Sequence, residues 1–459
     1  MAKLKPNSFF MLSLGCAKNT VDSDSMAQLL DAEGMQPASA LDQAEVIIVN
    51  TCGFIAPARQ ESIQTLQELA AQKRKGQLLI ASGCLTQRYG EDVAQQVKGI
   101  DGIIGTRRWM DIVTVVRELR RTRPPKPLYH LPPTPTIGED QPGILRASIQ
   151  GGSAYLKIAD GCRRPCAFCA IPLIKGPAVS RPLPLILEEA RLLADLGVKE
   201  LVLIAQDTTD YGHDLGIKDG LAQLLEALCL QVPHIPWIRV LYAFPGYVTD
   251  RLIDIMAAHP QILPYLDMPL QHAHPATLRR MQRPANMDWV RRTLDTMRRR
   301  IPNLALRTTF IVGYPGETEE EFQTLLDFVQ EIRFDRLGAF QFSFESGTAS
   351  EPLGDPIPPH IKQERWERLM EIQQGISLQI NQTWIGKTLD VLIEGHGTAQ
   401  DPNSRHKTGI SLGRSFRDAP EIDGLVIVEG NAPVGELVPV HITGALPYDL
   451  NGVLLSPEK

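Results

Sequence analysis

No stretch of this 459-residue sequence approaches the roughly 18 uninterrupted apolar residues needed to cross a bilayer. The short apolar run near the start, Phe9 to Leu14, is too brief for the core of a signal peptide, so no export signal is read and a cytoplasmic protein is expected. Positive charge is in short supply as well. The 47 lysines and arginines stand against 53 aspartates and glutamates, a formal net charge of -6, which predicts no bulk attraction to nucleic acid. Internal repeats and low-complexity tracts are lacking too. What is present, 43% hydrophobic and 22% charged residues, is the balance of a globular chain long enough for about three ordinary domains. Seven cysteines in such a chain argue against a disulfide framework and for metal or redox chemistry.

Over residues 7–122 apolar strand-like runs alternate with helical patterns, the sign of an α/β unit with a parallel sheet. The runs are Phe9 to Leu14, Val46 to Val49, Leu78 to Ala81 and Ile103 to Ile104. Three of them end just before Cys16, Cys52 and Cys84. The carboxyl ends of parallel strands share one edge of a sheet, so cysteines far apart in sequence can meet there. Residues 123–147, rich in proline, read as an extended linker. Over 148–380 six further strand-helix units predict a partial (β/α) barrel, whose chemistry belongs at the strands' carboxyl ends. Its candidate strands are Tyr155 to Ile158, Leu201 to Ile204, Ile238 to Tyr242, Tyr265 to Asp267, Arg307 to Val312 and Leu337 to Phe342. A helical stretch from Pro359 then leads to residues 381–448, where the short β-rich runs Thr388 to Glu394, Leu425 to Val428 and Leu437 to Ile442 predict a small β-barrel.

The strongest chemical signal is Asp160-Gly161-Cys162-Arg163-Arg164-Pro165-Cys166-Ala167-Phe168-Cys169, just after the first barrel strand. Three thiolates can bind three irons of a 4Fe-4S cluster and leave the fourth open to a small molecule. The alternative is a structural zinc site, but closed zinc sites take four ligands, and no further cysteine or histidine follows nearby. Cys16, Cys52 and Cys84 would each, alone, pass for a buried small hydrophobe. At the ends of three parallel strands they instead predict a second cluster. Cys229, inside the apolar stretch Leu221 to Leu230, reads as core.

The CxxxCxxC spacing with Phe168 before its last cysteine, at the first strand of a partial barrel, resembles the radical S-adenosylmethionine superfamily. That resemblance implies that S-adenosylmethionine chelates the open iron and is cleaved to a 5'-deoxyadenosyl radical, which abstracts hydrogen from an unactivated carbon. Thr309-Phe310-Ile311-Val312-Gly313-Tyr314-Pro315-Gly316-Glu317-Thr318 resembles the superfamily's adenosine-contacting segment, so Phe168, Gly313, Pro315, Gly316 and Glu317 are the expected cofactor contacts. On the glycines alone, a simple turn before a helix at Glu319 explains the segment equally well. After the second strand, where the superfamily often has Gly-Gly-Glu, this chain has Ile204-Ala205-Gln206-Asp207.

An N-terminal three-cysteine domain, a radical core and a C-terminal small β domain together resemble the methylthiotransferase family over essentially the whole chain. The implied architecture is a flavodoxin-like α/β domain, a partial (β/α)6 radical barrel and a TRAM-like β-barrel. Ser13-Leu14-Gly15-Cys16-Ala17-Lys18-Asn19-Thr20-Val21-Asp22-Ser23, Asn50-Thr51-Cys52-Gly53-Phe54-Ile55, Gly83-Cys84-Leu85-Thr86-Gln87-Arg88-Tyr89 and Gln206-Asp207-Thr208-Thr209-Asp210-Tyr211-Gly212 resemble the branch that modifies an aspartate of ribosomal protein S12. The tRNA-modifying branch typically has Gln-Met-Asn after its first cysteine and Gln-Asn-Val-Asn after the second barrel strand, and neither occurs here. The resemblance implies two 4Fe-4S clusters, one on Cys162, Cys166 and Cys169 and one on Cys16, Cys52 and Cys84. It also implies S-adenosylmethionine as methyl donor and radical source, a reducing electron donor, and ribosomal protein S12, free or in the small subunit, as substrate.

Gln206, Asp207, Arg239, Asp267 and Gln271 lie at strand ends facing the expected site and are the candidate catalytic groups, with a structural polar role as the alternative. From Asn381 to Lys459 there are 6 basic and 10 acidic residues, a net -4 that would repel RNA and attract a basic ribosomal protein. A tRNA adenosine methylthiotransferase is the alternative among enzymes, and a zinc-stabilised RNA-binding module the alternative among non-enzymes.

Overall fold

The structure, a computed structural model, describes residues 4–132, 140–400 and 407–455. The first unit runs β1 (Ser8–Ser13), α1 (Ala17–Ala32), β2 (Gln36–Pro37), β3 (Val46–Thr51), α2 (Ala56–Gln72), β4 (Leu78–Gly83), α3 (Cys84–Gln96), β5 (Gly102–Ile104), α4 (Ile112–Thr122) and β6 (Leu128–His130). Its strands form one parallel sheet in the order β2-β1-β3-β4-β5-β6. Strands β3 and β4 are buried along their whole length, which is why they read as unbroken apolar runs. Val46 and Ile48 pack beneath α1 and α4, while Ile47 and Val49 pack on the opposite face with Leu66 of α2 and Leu85 of α3.

The second unit continues through β7 (Ala147–Gln150), β8 (Ser153–Lys157), β9 (Ala159–Asp160), α5 (Ile171–Lys175), β10 (Val179–Ser180), α6 (Leu183–Asp195), β11 (Glu200–Ile204), α7 (Gly220–Gln231), β12 (Trp237–Val240), α8 (Asp250–Ala258) and β13 (Ile262–Asp267). It ends with α9 (Pro275–Arg280), α10 (Met287–Arg300), β14 (Ala305–Val312), α11 (Glu319–Ile332), β15 (Arg336–Gln341) and α12 (Pro359–Gln382). Six parallel strands, β8-β11-β12-β13-β14-β15, make the open barrel, and β7 adds an antiparallel edge beside β8. Strand alternation divides the packing. Leu201 and Leu203 face the outer helices, whereas Val202 and Ile204 turn into the lumen with Tyr155, Leu241 and Tyr265.

The third unit is a closed barrel of β16 (Thr388–Gln400), β17 (Lys407–Arg414), β18 (Val426–Glu429), β20 (Leu450–Leu454) and β19 (Leu437–Ala445). Two boundaries differ from expectation. Leu128–His130 lies inside the expected linker yet extends the first sheet as β6, a strand too short to leave a pattern. The last barrel strand runs to Leu454, past the expected end at 448, and Gly452 within it interrupts its apolar signal. The remaining linker residues 133–139 lie outside the described residues.

Charged groups join the units. Between the first and second, Asp22 of α1 is fully buried and accepts from Lys157 Nζ at 2.5 Å, Lys175 Nζ at 2.9 Å and Arg146 Nη2 at 2.9 Å, while Arg146 also reaches Asp160 at 3.1 Å. Burial alone would raise the Asp22 and Asp160 carboxyls, but the surrounding cations hold both below the usual carboxylate range. Between the second and third units, Glu200 takes Arg239 at 2.6 Å and Arg414 at 2.6 Å. Arg239 also donates to the backbone oxygen of Phe416 at 2.8 Å. Phe416 and Ala419 close the lumen at the amino-terminal ends of the barrel strands.

Removing one partner from a buried network leaves uncompensated charge. Asp22→Ala is therefore expected to lose roughly 3–5 kcal/mol in urea denaturation, against no more than about 1 kcal/mol for Arg117→Ala on the surface. Glu200 supplies a pH test. Burial would raise its carboxyl, but Arg414 and Arg239 hold it at about 2, below the ordinary 4.5. Its contribution, roughly 3 kcal/mol, is present above the unfolded value and lost as pH falls toward the folded one. Between about pH 5 and 3 the urea midpoint of the wild type should drop more steeply than that of Glu200→Gln; parallel slopes would remove this pair from the account.

Candidate functional site

Strands β1, β3 and β4 are neighbours, so the loops after them place Cys16, Cys52 and Cys84 along one edge of the first sheet. Asn19, buried one turn into α1, ties these loops together. Its Nδ2 donates to Leu14 O at 2.9 Å and Thr51 O at 3.1 Å, its backbone oxygen accepts from Asn50 Nδ2 at 2.8 Å, and Cys84 Sγ lies 3.6 Å from its Oδ1. Gly83 makes the approach possible. Its φ is +108°, and a Cβ there would stand 2.4 Å from Thr51 O.

The second cysteine set sits on the loop after β9. Gly161 starts it at φ +73°, where a Cβ would fall 1.9 Å from Pro177 O. Two salt bridges then hold the loop to the segment after β11. Arg164 Nε donates to Asp207 at 2.6 Å, and Arg163 grips Asp210 with contacts of 2.7 and 2.8 Å. Asp207 thus braces the cysteine loop, its carboxyl raised by burial despite the Arg164 charge. Arg283 reaches Cys166 Sγ at 3.5 Å and stacks on Phe244.

Both cysteine sets face one cavity of about 430 Å³. Cys16, Cys52 and Cys84 line it from the first unit, and Cys162, Cys166 and Cys169 from the second. Phe54, Phe168, Tyr242, Phe244 and Phe340 make much of its wall aromatic. Of the other expected site residues, Gln206, Asp207 and Gln271 also line it, and Gln206 Oε1 is buried without a hydrogen-bond partner.

Other expected site residues do not line this cavity. Arg239 points to the opposite end of the barrel, against Glu200 and the third unit. Asp267 is fully buried, paired with Arg307 at 2.8 Å and accepting from Tyr242 N at 3.2 Å, so it orients Tyr242 from below. Gly313, Pro315, Gly316 and Glu317 are not among the lining residues. Lys362 of α12 packs on Gly313, and Arg365 of the same helix pairs with Glu317 at 3.2 Å. Cys229 is buried in the core between barrel and helices.

Lys18, Lys175, Arg283 and Tyr242 line the cavity without having been singled out for chemistry. Lys18 carried a signal, two residues beyond Cys16. The others gave none, because Lys175 ends the short helix α5 and Tyr242 and Arg283 lie on loops without a motif.

The donor set fits iron-sulfur clusters. A cluster takes one thiolate per iron, so its cysteines stand apart around a cavity. Burial pushes the Cys84 and Cys169 thiols up to about 12 and Cys162 to about 11, so iron must displace their protons on binding. Lys175, close enough to Cys84 to favour its thiolate, supplies positive charge where thiolates would gather.

Comparison with known proteins covers all three units. Family models match residues 8–105 (uncharacterized protein family UPF0004), 156–329 (radical SAM superfamily) and 385–455 (TRAM domain). A protein of Chloroflexus aurantiacus named ribosomal protein uS12 methylthiotransferase RimO is 49% identical over 98% of this chain and 100% of its own length. Proteins of the same name from a Roseiflexus species and from a Synechocystis species are 47% and 44% identical, each covering 97% of both chains. Among solved structures, the radical S-adenosylmethionine methyltransferase TsrM of Kitasatospora setae, with cobalamin and a [4Fe-4S] cluster bound, aligns at a TM-score of 0.56 and 13% identity over 87% of this chain and 82% of its own, a likeness of fold.

Gly83→Ala would force the β3 and β4 loops apart. The variant is expected to lose about 2 kcal/mol or more in urea denaturation, with Gly34→Ala, whose Cβ would meet nothing within 4 Å, losing less. Equal losses at the two glycines would show that the close approach at Gly83 is not needed.

Proposed function

The chain belongs to the family of ribosomal protein uS12 methylthiotransferases named RimO, and from that premise we propose that it attaches a methylthio group to the β-carbon of an aspartate of uS12. The observation that carries the proposal is the single cavity lined by two cysteine triads, one from each of the first two units. It is a radical S-adenosylmethionine enzyme with 4Fe-4S clusters. Cys162, Cys166 and Cys169 hold the cluster that meets S-adenosylmethionine, and Cys16, Cys52 and Cys84 hold the second. When bound, these groups supply a hydrogen-abstracting radical at the first triad and a methylated sulfur at the second.

The chain's own residues position the parts. Arg163 and Arg164, clamped by Asp210 and Asp207, fix the loop of the first triad. Asn19 fixes the three loops of the second. The aromatic walls surround the reacting groups with apolar surface, which strengthens the polar contacts made inside the cavity. Gln206, with its unpartnered oxygen in the wall, and Gln271 are the polar groups that orient bound S-adenosylmethionine or substrate.

The substrate is uS12, free or in the small subunit, rather than tRNA. Supporting this, the motif after Cys16 is Ala17-Lys18-Asn19, and two of the six basic residues of the third unit, Arg414 and Arg417, are buried in internal contacts. A reducing donor supplies the electron, and the enzyme works in the cytoplasm; among the described residues no helix is long and apolar enough to cross a membrane.

Two triple variants test the assignment. Alanine at Cys162, Cys166 and Cys169 should abolish 5'-deoxyadenosine formation and leave the iron of the other triad in place. Alanine at Cys16, Cys52 and Cys84 should preserve S-adenosylmethionine cleavage and end methylthio transfer. A wild type that modified tRNA adenosine and left uS12 unchanged would reverse the substrate, and zinc in place of iron would reverse the chemistry.

A further inference from the structure

Four cations line the cavity, and three are committed. Lys175 is paired with Asp22, Arg164 with Asp207, and Arg283 is held by Pro269 O and Cys166 Sγ. Lys18 differs. Among the described residues it meets no carboxylate, and its ammonium lies 3.3 Å from the centroid of the Tyr242 ring. A cation on an aromatic face keeps its charge and its hydrogen-bond donors available for an incoming anion.

The platform beneath it is a built one. Tyr242 holds φ at +63°, a region that bulky residues rarely enter and that persists only where the surroundings impose it. Here Asp267 accepts from its backbone N–H at 3.2 Å, Thr208 N donates to its carbonyl at 3.1 Å, and Asp267 is itself held by Arg307. The strained backbone brings the ring of a barrel residue under a lysine of the first unit, beside Cys16.

We propose that Lys18, seated on Tyr242, recognises the carboxylate of the substrate side chain and so selects aspartate. This rests on the reading that the modified residue is an aspartate of uS12. A carboxylate bound to Lys18 would lie next to the Cys16 loop, where sulfur transfer is assigned, and the ion pair would form in a cavity with aromatic walls, where a charge-assisted hydrogen bond is strong.

The test uses the full-length protein with both clusters in place, at equal iron content, and two labelled peptides spanning the target site of uS12. One carries the native aspartate and the other an asparagine. The wild type is expected to bind the aspartyl peptide about tenfold or more tightly than the asparaginyl one. Lys18→Met should bind both alike, and Lys18→Arg should keep the preference. A wild type without the preference, or a Lys18→Met variant that retains it, overturns the proposal. Methylthio mass on the aspartyl peptide is read separately with the wild type. If none is added, the substrate reading falls and the proposal with it; if mass is added while Lys18→Met keeps the preference, the proposal alone falls.

Discussion

The buried charge cluster at Asp22 sets the geometry on which everything else depends. Its members come from both sides of the cavity. Asp22 follows Cys16 on α1, Lys157 and Asp160 precede Cys162, and Lys175 follows Cys169. Each contact of Asp22 therefore joins the helix that follows Cys16 to a residue of the second unit. A network of this kind contributes little net stability over a well-packed apolar core, because desolvation opposes the Coulomb gain. What it provides is a single arrangement, since any slide of one unit over the other strands a charge in a medium of low dielectric. Asp140 joins the cluster through Arg146 at 3.6 Å, and Lys175 lies close enough to Cys84 to favour its thiolate.

The third unit acts on the same cavity from the far end of the barrel. Asp423, in the segment after β17, bonds to Tyr265 at 2.6 Å and meets Arg307 at 3.3 Å. Arg307 holds Asp267, and Asp267 holds the backbone of Tyr242. The lumen is thus filled by an unbroken ladder of ionic and hydrogen-bonded side chains from the β-barrel to the cavity wall. An open barrel lumen lined by Arg239, Arg307 and Glu200 would be unstable without such partners, because each of these groups is expensive to bury alone. The β-barrel therefore completes the central unit structurally, whatever it also does at its outer surface.

This ladder explains what the sequence did and did not reveal. The three-unit architecture and the two cysteine triads were legible because each rests on local pattern: unbroken apolar runs at β3 and β4, cysteines just past strand ends, and a spaced thiol motif. Strands β17 and β20 were not legible, since glycines at 409, 413 and 452 dilute their alternation. Arg239 and Asp267 had the right strand and the right face, but Arg239 is taken up by Phe416 of the third unit and Asp267 by Arg307, itself held by Asp423 of the third unit, contacts that no local pattern encodes. Glu317 and Gly313 are covered by α12, whose docking on this segment was likewise invisible.

Two reactive centres that must act on one carbon cannot be left to independent domains joined by a tether. Radical chemistry needs reacting atoms held within near-attack distance and away from water, and a misplacement of about 1 Å can cost a hundredfold in rate. The protein meets this with covalent and ionic economy: the cysteine loops are short, each is pinned by a buried asparagine or an arginine-carboxylate pair, and the two sets are locked through Asp22. At the cavity wall the backbones of Tyr242 and Gln271 hold positive φ, as do those of Gly83 and Gly161 where two of the cysteine loops begin. The backbone there bends in ways the rest of the fold must enforce, and the surrounding hydrogen bonds show that it does.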